Sequence, residues 1–227
     1  MIIPIRDINP SKTFPIVTLI IIAANAVIFI AEITLPSKQL SAFFMDFGFI
    51  PARATGLAEE FPTGSLLHSF TTLFTCMFVH AGWAHAIGNM WILWLFGDNV
   101  EDRLGHLTFL IFYISAGLAA GITHLFMHPA STIPAIGASG AVAGVMAAYV
   151  LMYPKARIVM LFWFFFIFIK TFLISAWVFI GIWFAIQLFS GVGSLASGQA
   201  GGIAFWAHIG GFSAGVFMIV INRIRKI

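Results

Sequence analysis

Residues 137–148 read GASGAVAGVMAA, a serine held between small residues and followed at once by a small apolar run that ends in Tyr153-Pro154-Lys155. The run predicts a helix that starts at Ser139 and stops before Pro154, because proline lacks the backbone donor that another turn needs. Roughly 15 residues at ~1.5 Å each give about 22 Å, short of the ~30 Å hydrocarbon core of a bilayer. With Lys155 and Arg157 at one surface, Ser139 is expected to lie below the opposite one. A serine at a helix N-terminus sits beside free backbone N–H groups and the positive end of the dipole, where an oxyanion is held. The soluble nucleophile elbow G-x-S-x-G fits poorly, since its last glycine would fall on Ala141. Taken alone, the stretch reads more often as a packing face than as a nucleophile site, because small residues let membrane helices approach closely.

Composition supports the membrane setting. Of 227 residues 61% are hydrophobic and 8% charged, and mean hydropathy is +1.03, well outside the range of soluble domains. An all-α polytopic membrane protein is expected. The net charge of +3 comes from single basic residues at the ends of apolar runs, not from a basic face, which argues against a nucleic-acid partner. Cys76 is the only cysteine, so an intramolecular disulfide, a cysteine zinc cluster and a redox pair are excluded. The first apolar run has spanning length and no small-residue cleavage site, and is expected to be retained.

Six spans are expected, over about residues 14–35, 82–100, 107–127, 139–153, 171–189 and 203–221. Between the first two lies a stretch broken by Pro36, Pro51 and Pro62, expected to rest in the interface as short amphipathic pieces. Residues 158–170 read as an interfacial segment, because Lys170 would be costly in mid-membrane. Residues 190–202, SGVGSLASGQAGG, read as a flexible outer loop. This topology leaves Arg6, Lys12, Arg103, Lys155, Arg157, Lys170, Arg223, Arg225 and Lys226 on one side and only Lys38 and Arg53 on the other. Both termini are therefore expected in the cytoplasm. A transporter or channel fits less well, since the chain has no inverted repeat and its polar residues gather in one leaflet.

Three polar features share that leaflet. Ser139 opens the fourth span, His208 lies about one and a half turns into the sixth, and His85 with Asn89 enters the second. Ala204, His208, Gly211 and Gly215 form one stripe; Ser139, Ala143 and Ala147, with Gly140, Gly144 and Ala148 alongside, form another small face. Two such faces permit close backbone approach, so that hydroxyl and imidazole could come within hydrogen-bond reach. A histidine inside a span marks function by default, helix packing being the alternative. Neutral His208 can take the serine proton and return it to the leaving amine. No acidic residue is read at comparable depth, so a Ser139–His208 dyad is expected, with the group that orients the imidazole unassigned. His85 and Asn89, four apart on one face, offer donors that would join the Ser139 N–H around a tetrahedral oxyanion. An interhelical hydrogen bond is the alternative for Asn89. His80 with His85 and His124 with His128 are the competing metal pairs, but no carboxylate accompanies either and the chain has no H-E-x-x-H. Neither metal nor cofactor is expected.

Together these residues resemble the rhomboid family of intramembrane serine proteases. The resemblance rests on four pieces in order: His85-x-x-x-Asn89, Glu101-x-Arg103-x-Gly105, Gly137-x-Ser139-Gly140 and Ala207-His208-x-Gly210-Gly211-x-x-x-Gly215. It implies one rhomboid-like domain over residues 1–227, a six-transmembrane-helix bundle with a membrane-embedded first loop. It implies a serine endopeptidase that cleaves transmembrane segments of membrane-protein substrates, with Ser139 as nucleophile, His208 as general base, and His85, Asn89 and Ser139 forming the oxyanion hole. The implied partners are transmembrane substrates and the lipid bilayer, and six spans without an extra domain suit a bacterial inner membrane. Glu101 with Arg103 resembles the family's structural polar pair, and residues 190–202 resemble its cap over the active site. Two positions depart from some members. Ala143 stands where an aromatic residue packs on the histidine, and Thr71-Thr72 where a Trp-Arg pair occurs. The alternative is a non-catalytic rhomboid-like protein that binds client transmembrane helices; its expected mark is loss of the serine or histidine, and both are here. Substrates with Gly, Pro or small polar residues near their outer end are expected, because such residues ease the unwinding that exposes a peptide carbonyl.

Overall fold

The computed structural model describes residues 2–59, 66–164, 168–197 and 204–224. Strand β1 (Ile2–Asp7) leads into α1 (Ile16–Thr34), and three shorter helices follow: α2 (Ser37–Phe47), α3 (Pro51–Thr55) and α4 (Leu66–Thr75). Then come α5 (Trp83–Leu104), α6 (His106–Met127) and α7 (Ser139–Met152). Strands β2 (Arg157–Phe164) and β3 (Phe168–Ser175) separate α7 from α8 (Ala176–Ser197) and α9 (Phe205–Ile224). Among the described residues three helical segments are long and apolar enough to cross a membrane: Ile16–Thr34, His106–Met127 and Ala176–Leu195. Ser139–Met152 and Phe205–Ile221 are shorter apolar helices. α5 is as long as α6, but its last turns carry Asp98, Glu101, Asp102 and Arg103.

α7 is the axis of the bundle. Every residue from Gly140 to Tyr149 is buried, with α9 along one side and α6 and α5 on the others. A Cβ on Gly215 would lie 2.5 Å from the Gly144 carbonyl oxygen, and one on Gly211 would overlap the Gly140 carbonyl. The two small-residue faces are therefore pressed backbone to backbone, as their patterning predicts. Bulk is supplied around this seam by Phe96, Phe109, Tyr113 and Tyr149, all fully buried.

Glu101 seats α1 on this core. Its buried carboxylate accepts from the N–H groups of Val17 (2.8 Å) and Thr18 (2.7 Å) and from the Thr18 hydroxyl (2.7 Å). Those are amides of the first turn of α1, which have no partner within the helix. Among the described residues the remaining side-chain partner of Glu101 is His106, so its bonds there run to α1 and α6 and not to Arg103. The segment that precedes α7 is held from the first-loop side. Backbone bonds join Phe49 to Ala135, and the Thr55 hydroxyl donates to the Pro129 carbonyl at 2.7 Å.

The all-α expectation needs correction. β1, β2 and β3 form an antiparallel sheet in that order, with Ile2 opposite Phe162 and Phe162 opposite Lys170. Residues 157–164, RIVMLFWF, are largely β-branched and aromatic and suit a pleated strand. Pairing two such strands satisfies the facing backbone groups of each without a helix. The expected interfacial segment at 158–170 is therefore part of a hairpin, and the expected fifth span begins at Ala176 instead of residue 171. That helix continues to Ser197, so the first part of the expected flexible loop is helical; residues 198–202 lie outside the described residues. The sheet buries Ile158 and Met160 against the bundle. The Trp91 indole N–H donates to the Pro4 carbonyl at 2.6 Å, while Asp7 accepts from the Tyr149 hydroxyl at 2.6 Å and from the Asn99 amide at 3.1 Å. β1 thus runs beside α5 from Asn99 to Trp91, eight residues or about 12 Å of helix.

Candidate active site

Ser139 is the first residue of α7, and the residue before it already has helical torsions. Its Oγ lies 2.7 Å from Nε2 of His208 on α9. Close approach of the two helices at Gly140, Gly144, Gly211 and Gly215 brings these side chains together across the seam. The other imidazole nitrogen, Nδ1, is 2.7 Å from Oε1 of Gln187 on α8. The Trp183 ring, one turn before Gln187, faces the His208 ring with centroids 5.9 Å apart and planes inclined by 35°. An aromatic contact on the histidine therefore exists, supplied by α8 and not by the position of Ala143.

The sequence reading passed over Gln187, although a signal was present. An amide in the middle of an apolar helix, four residues from a tryptophan, is a polar group that must find a partner.

His85 lies against the approach to the serine. Gly137 has φ +120°, and a Cβ there would fall 2.5 Å from His85 Nε2, so the imidazole rests on the glycine's α-carbon. Only glycine tolerates both the torsion and the contact. Gly137 N–H donates to the Cys76 carbonyl at 2.8 Å, and the Ala138 N–H donates to His80 Nε2 at 3.4 Å. The rings of His80 and His85 meet edge to face, 5.0 Å apart. Asn89 is buried, and its amide donates to the His85 carbonyl at 3.0 Å within its own helix. The structure thus joins Ser139 to His208 and seats His85 on Gly137, while among the described residues no hydrogen bond links Asn89 to Ser139.

One acidic residue was misplaced by the sequence reading. Glu32, at the end of α1, is buried and accepts from the His80 N–H with both oxygens at 3.2 Å. A carboxylate does lie at the depth of the site, but it braces the backbone that carries His80 and leaves His208 to Gln187. His124 and His128 stack on each other, 5.2 Å between centroids. Among the described residues no three His, Cys, Asp or Glu side chains gather as a metal would require. A cavity of about 40 Å³, bounded in part by Gly137, Ser139, Gly140, His124 and Ala207, adjoins the hydroxyl and has room for at least one water.

Comparison with known proteins identifies the family. The family model described as Rhomboid domain matches residues 67–225. The chain is 30% identical over 117 residues to the putative rhomboid protease YdcA of Bacillus subtilis (strain 168), covering 50% of this chain and 58% of that protein. It is 33% identical over 90 residues to the chloroplastic rhomboid-like protein 11 of Arabidopsis thaliana, covering 38% of this chain and 32% of the relative. To the mitochondrial presenilin-associated rhomboid-like protein of Homo sapiens it is 32% identical over 87 residues, 37% of this chain and 23% of the relative. The chain spans less than two thirds of the length of each of these relatives. With the family model matched over more than half of its residues, the chain belongs to the rhomboid family.

Proposed function

We propose that this protein is an intramembrane serine endopeptidase acting on transmembrane segments of membrane-protein substrates through a Ser139–His208 dyad. The observation that carries the reading is the 2.7 Å approach of Ser139 Oγ to His208 Nε2, made across the close-packed seam of α7 and α9. Ser139 attacks the scissile carbonyl carbon while Nε2 takes its proton; the carbonyl becomes an oxyanion beside the Ser139 N–H at the start of α7. Collapse of this intermediate breaks the C–N bond, and the proton on Nε2 passes to the leaving amine. Water then adds to the acyl-enzyme ester, giving its proton to Nε2, and release of the acid regenerates the hydroxyl. His85 and Asn89 are the proposed side-chain donors to the oxyanion, the former by its position over Gly137. The sequence of steps needs neither metal nor cofactor.

The same proposal extends to the bilayer. α1, α5, α6, α7, α8 and α9 are the proposed six crossings, with both termini cytoplasmic in a bacterial inner membrane. Substrates with helix-weakening residues near the outer end of their span suit a site that needs an exposed peptide carbonyl. The test is cleavage of a model transmembrane substrate in detergent and in proteoliposomes by wild type, Ser139→Ala and His208→Ala, with fluorophosphonate labelling in parallel. Loss of both cleavage and labelling in the variants is expected. Equal cleavage by all three would sink the proposal, and binding of substrate without cleavage by wild type would favour a non-catalytic, client-binding protein.

A further inference from the structure

We propose that Gln187 is the positioning residue that fixes the tautomer and the plane of His208, an inference that rests on the serine-protease reading above. Its amide is buried and its two ends have different neighbours. The amide nitrogen lies 3.4 Å from the Trp183 carbonyl oxygen, which can only accept, so nitrogen faces it and Oε1 is left on the imidazole. Oε1 in turn can only accept, so the ring nitrogen 2.7 Å away, Nδ1, carries the hydrogen. Nε2 then holds the lone pair, and it is Nε2 that faces Ser139 Oγ at 2.7 Å. That is the one neutral tautomer in which histidine can accept the serine proton.

Trp183 and Gln187 lie four apart on the same face of α8, so one helix both limits the tilt of the ring and sets its protonation. A carboxylate fills this place in three-membered serine triads. An amide orients equally well but brings no net charge, and so lends the imidazolium less support. Among the described residues the titratable groups that act on His208 are His85 from α5 and His124 from α6; Ser139 from α7 and Gln187 from α8 bond its ring, and Trp183 from α8 faces it. Among the described residues no acidic side chain bonds the ring, so the charge state of residue 187 is a lever on the base.

The experiment compares wild type, Gln187→Met, Gln187→Glu and Ser139→Ala for kcat and KM on a reconstituted transmembrane substrate across pH, with labelling rates at Ser139 and thermal melts. Gln187→Met keeps the length and apolar bulk but loses the acceptor. It is expected to lower kcat and the labelling rate by roughly tenfold to 100-fold, part of the ~10²–10⁴ a general base supplies, with KM and melt close to wild type. Gln187→Glu restores the acceptor and adds charge. It is expected to recover kcat and to move the acidic limb of the profile up by about one pH unit or more. Wild-type kcat and labelling in a folded Gln187→Met overturn the inference. An unmoved limb in Gln187→Glu overturns it too, and this second readout stands if Gln187→Met fails to fold. Should Ser139→Ala still cleave, the serine-protease reading falls and takes the role of Gln187 with it; a dead Ser139→Ala beside a normal Gln187→Met removes the role alone.

Discussion

Gly211→Ala adds one carbon to α9, three residues past His208, at the point where that helix lies on the backbone of α7. The new Cβ would overlap the Gly140 carbonyl oxygen and sit 2.7 Å from its carbon and 3.2 Å from its α-carbon. Carbon atoms rest at about 3.5–4.0 Å, so the helices must part by about 1 Å. No side chain can absorb this, because the obstructing atoms are main chain. Displacing His208 by that amount stretches its 2.7 Å bond to Ser139 to roughly 3.7 Å, beyond hydrogen-bond range. A misplacement of this size costs ~10²-fold in rate, and the overpacking costs about 1–3 kcal/mol of stability. Gly181→Ala is the matched control. A Cβ there meets nothing within 4 Å, and in a helix alanine is favoured by about 1 kcal/mol. The assay is turnover of a transmembrane substrate together with fluorophosphonate labelling, each normalised to folded protein by a thermal melt. A Gly211→Ala protein that turns over within threefold of wild type, while Gly181→Ala does the same, would refute the claim that backbone contact between α7 and α9 sets the dyad distance.

Other outcomes follow from single contacts. Glu101→Ala removes a buried carboxylate that satisfies the Val17 and Thr18 amides and the Thr18 hydroxyl, and is expected to cost about 1–3 kcal/mol for each stranded amide in denaturant unfolding; a wild-type midpoint would contradict the anchoring of α1. Glu32→Leu strands the His80 N–H at a cost of about 1–3 kcal/mol, whereas Glu32→Gln, which keeps an acceptor, should melt and cleave much closer to wild type. Asp7 is held above its ordinary value of 3.8 by burial, with Asp98 adding repulsion against the opposing pull of Tyr149. The folded protein therefore binds this proton more tightly than the unfolded chain, and stability falls as pH rises from the ordinary value through the raised one. Asp7→Asn keeps an oxygen for the Tyr149 hydroxyl and removes that slope. Its melting temperature should gain on wild type with rising pH and then run parallel; a constant offset across the range would show that Asp7 contributes no titration.

Much of the bundle is legible because apolar helices advertise themselves. The expected second, third, fourth and sixth spans lie within a few residues of α5, α6, α7 and α9, and Ser139 and His208 stand out as polar side chains on faces otherwise built for close packing. What escaped notice depends on partners far away in sequence. Residues 157–175 carry no regular alternation of polar and apolar side chains, so nothing local separates a paired hairpin from an interfacial run. The strand that completes the sheet is 2–7, and only the fold brings it there. Gln187 and Glu32 were visible as lone polar groups near or within apolar helices, but composition cannot say which of two nearby histidines each would serve. Ala143 pointed to a missing support for His208, and the support comes from the helix that follows the hairpin.

Pairing of β1 with β2 joins Ile2 to Phe162, residues about 160 positions apart. At ribosomal rates of ~5–20 residues per second, the first strand waits roughly 10–30 s for its neighbour to be made. During that interval its open edge is a template for any extended segment nearby. The hairpin can close only after α7 has been synthesised, so the sheet is a late event in biogenesis, and its formation ties the start of the chain to the segment that leads directly into α8. The helix bearing Trp183 and Gln187 begins where β3 ends, so its entry into the bundle is tied to that pairing.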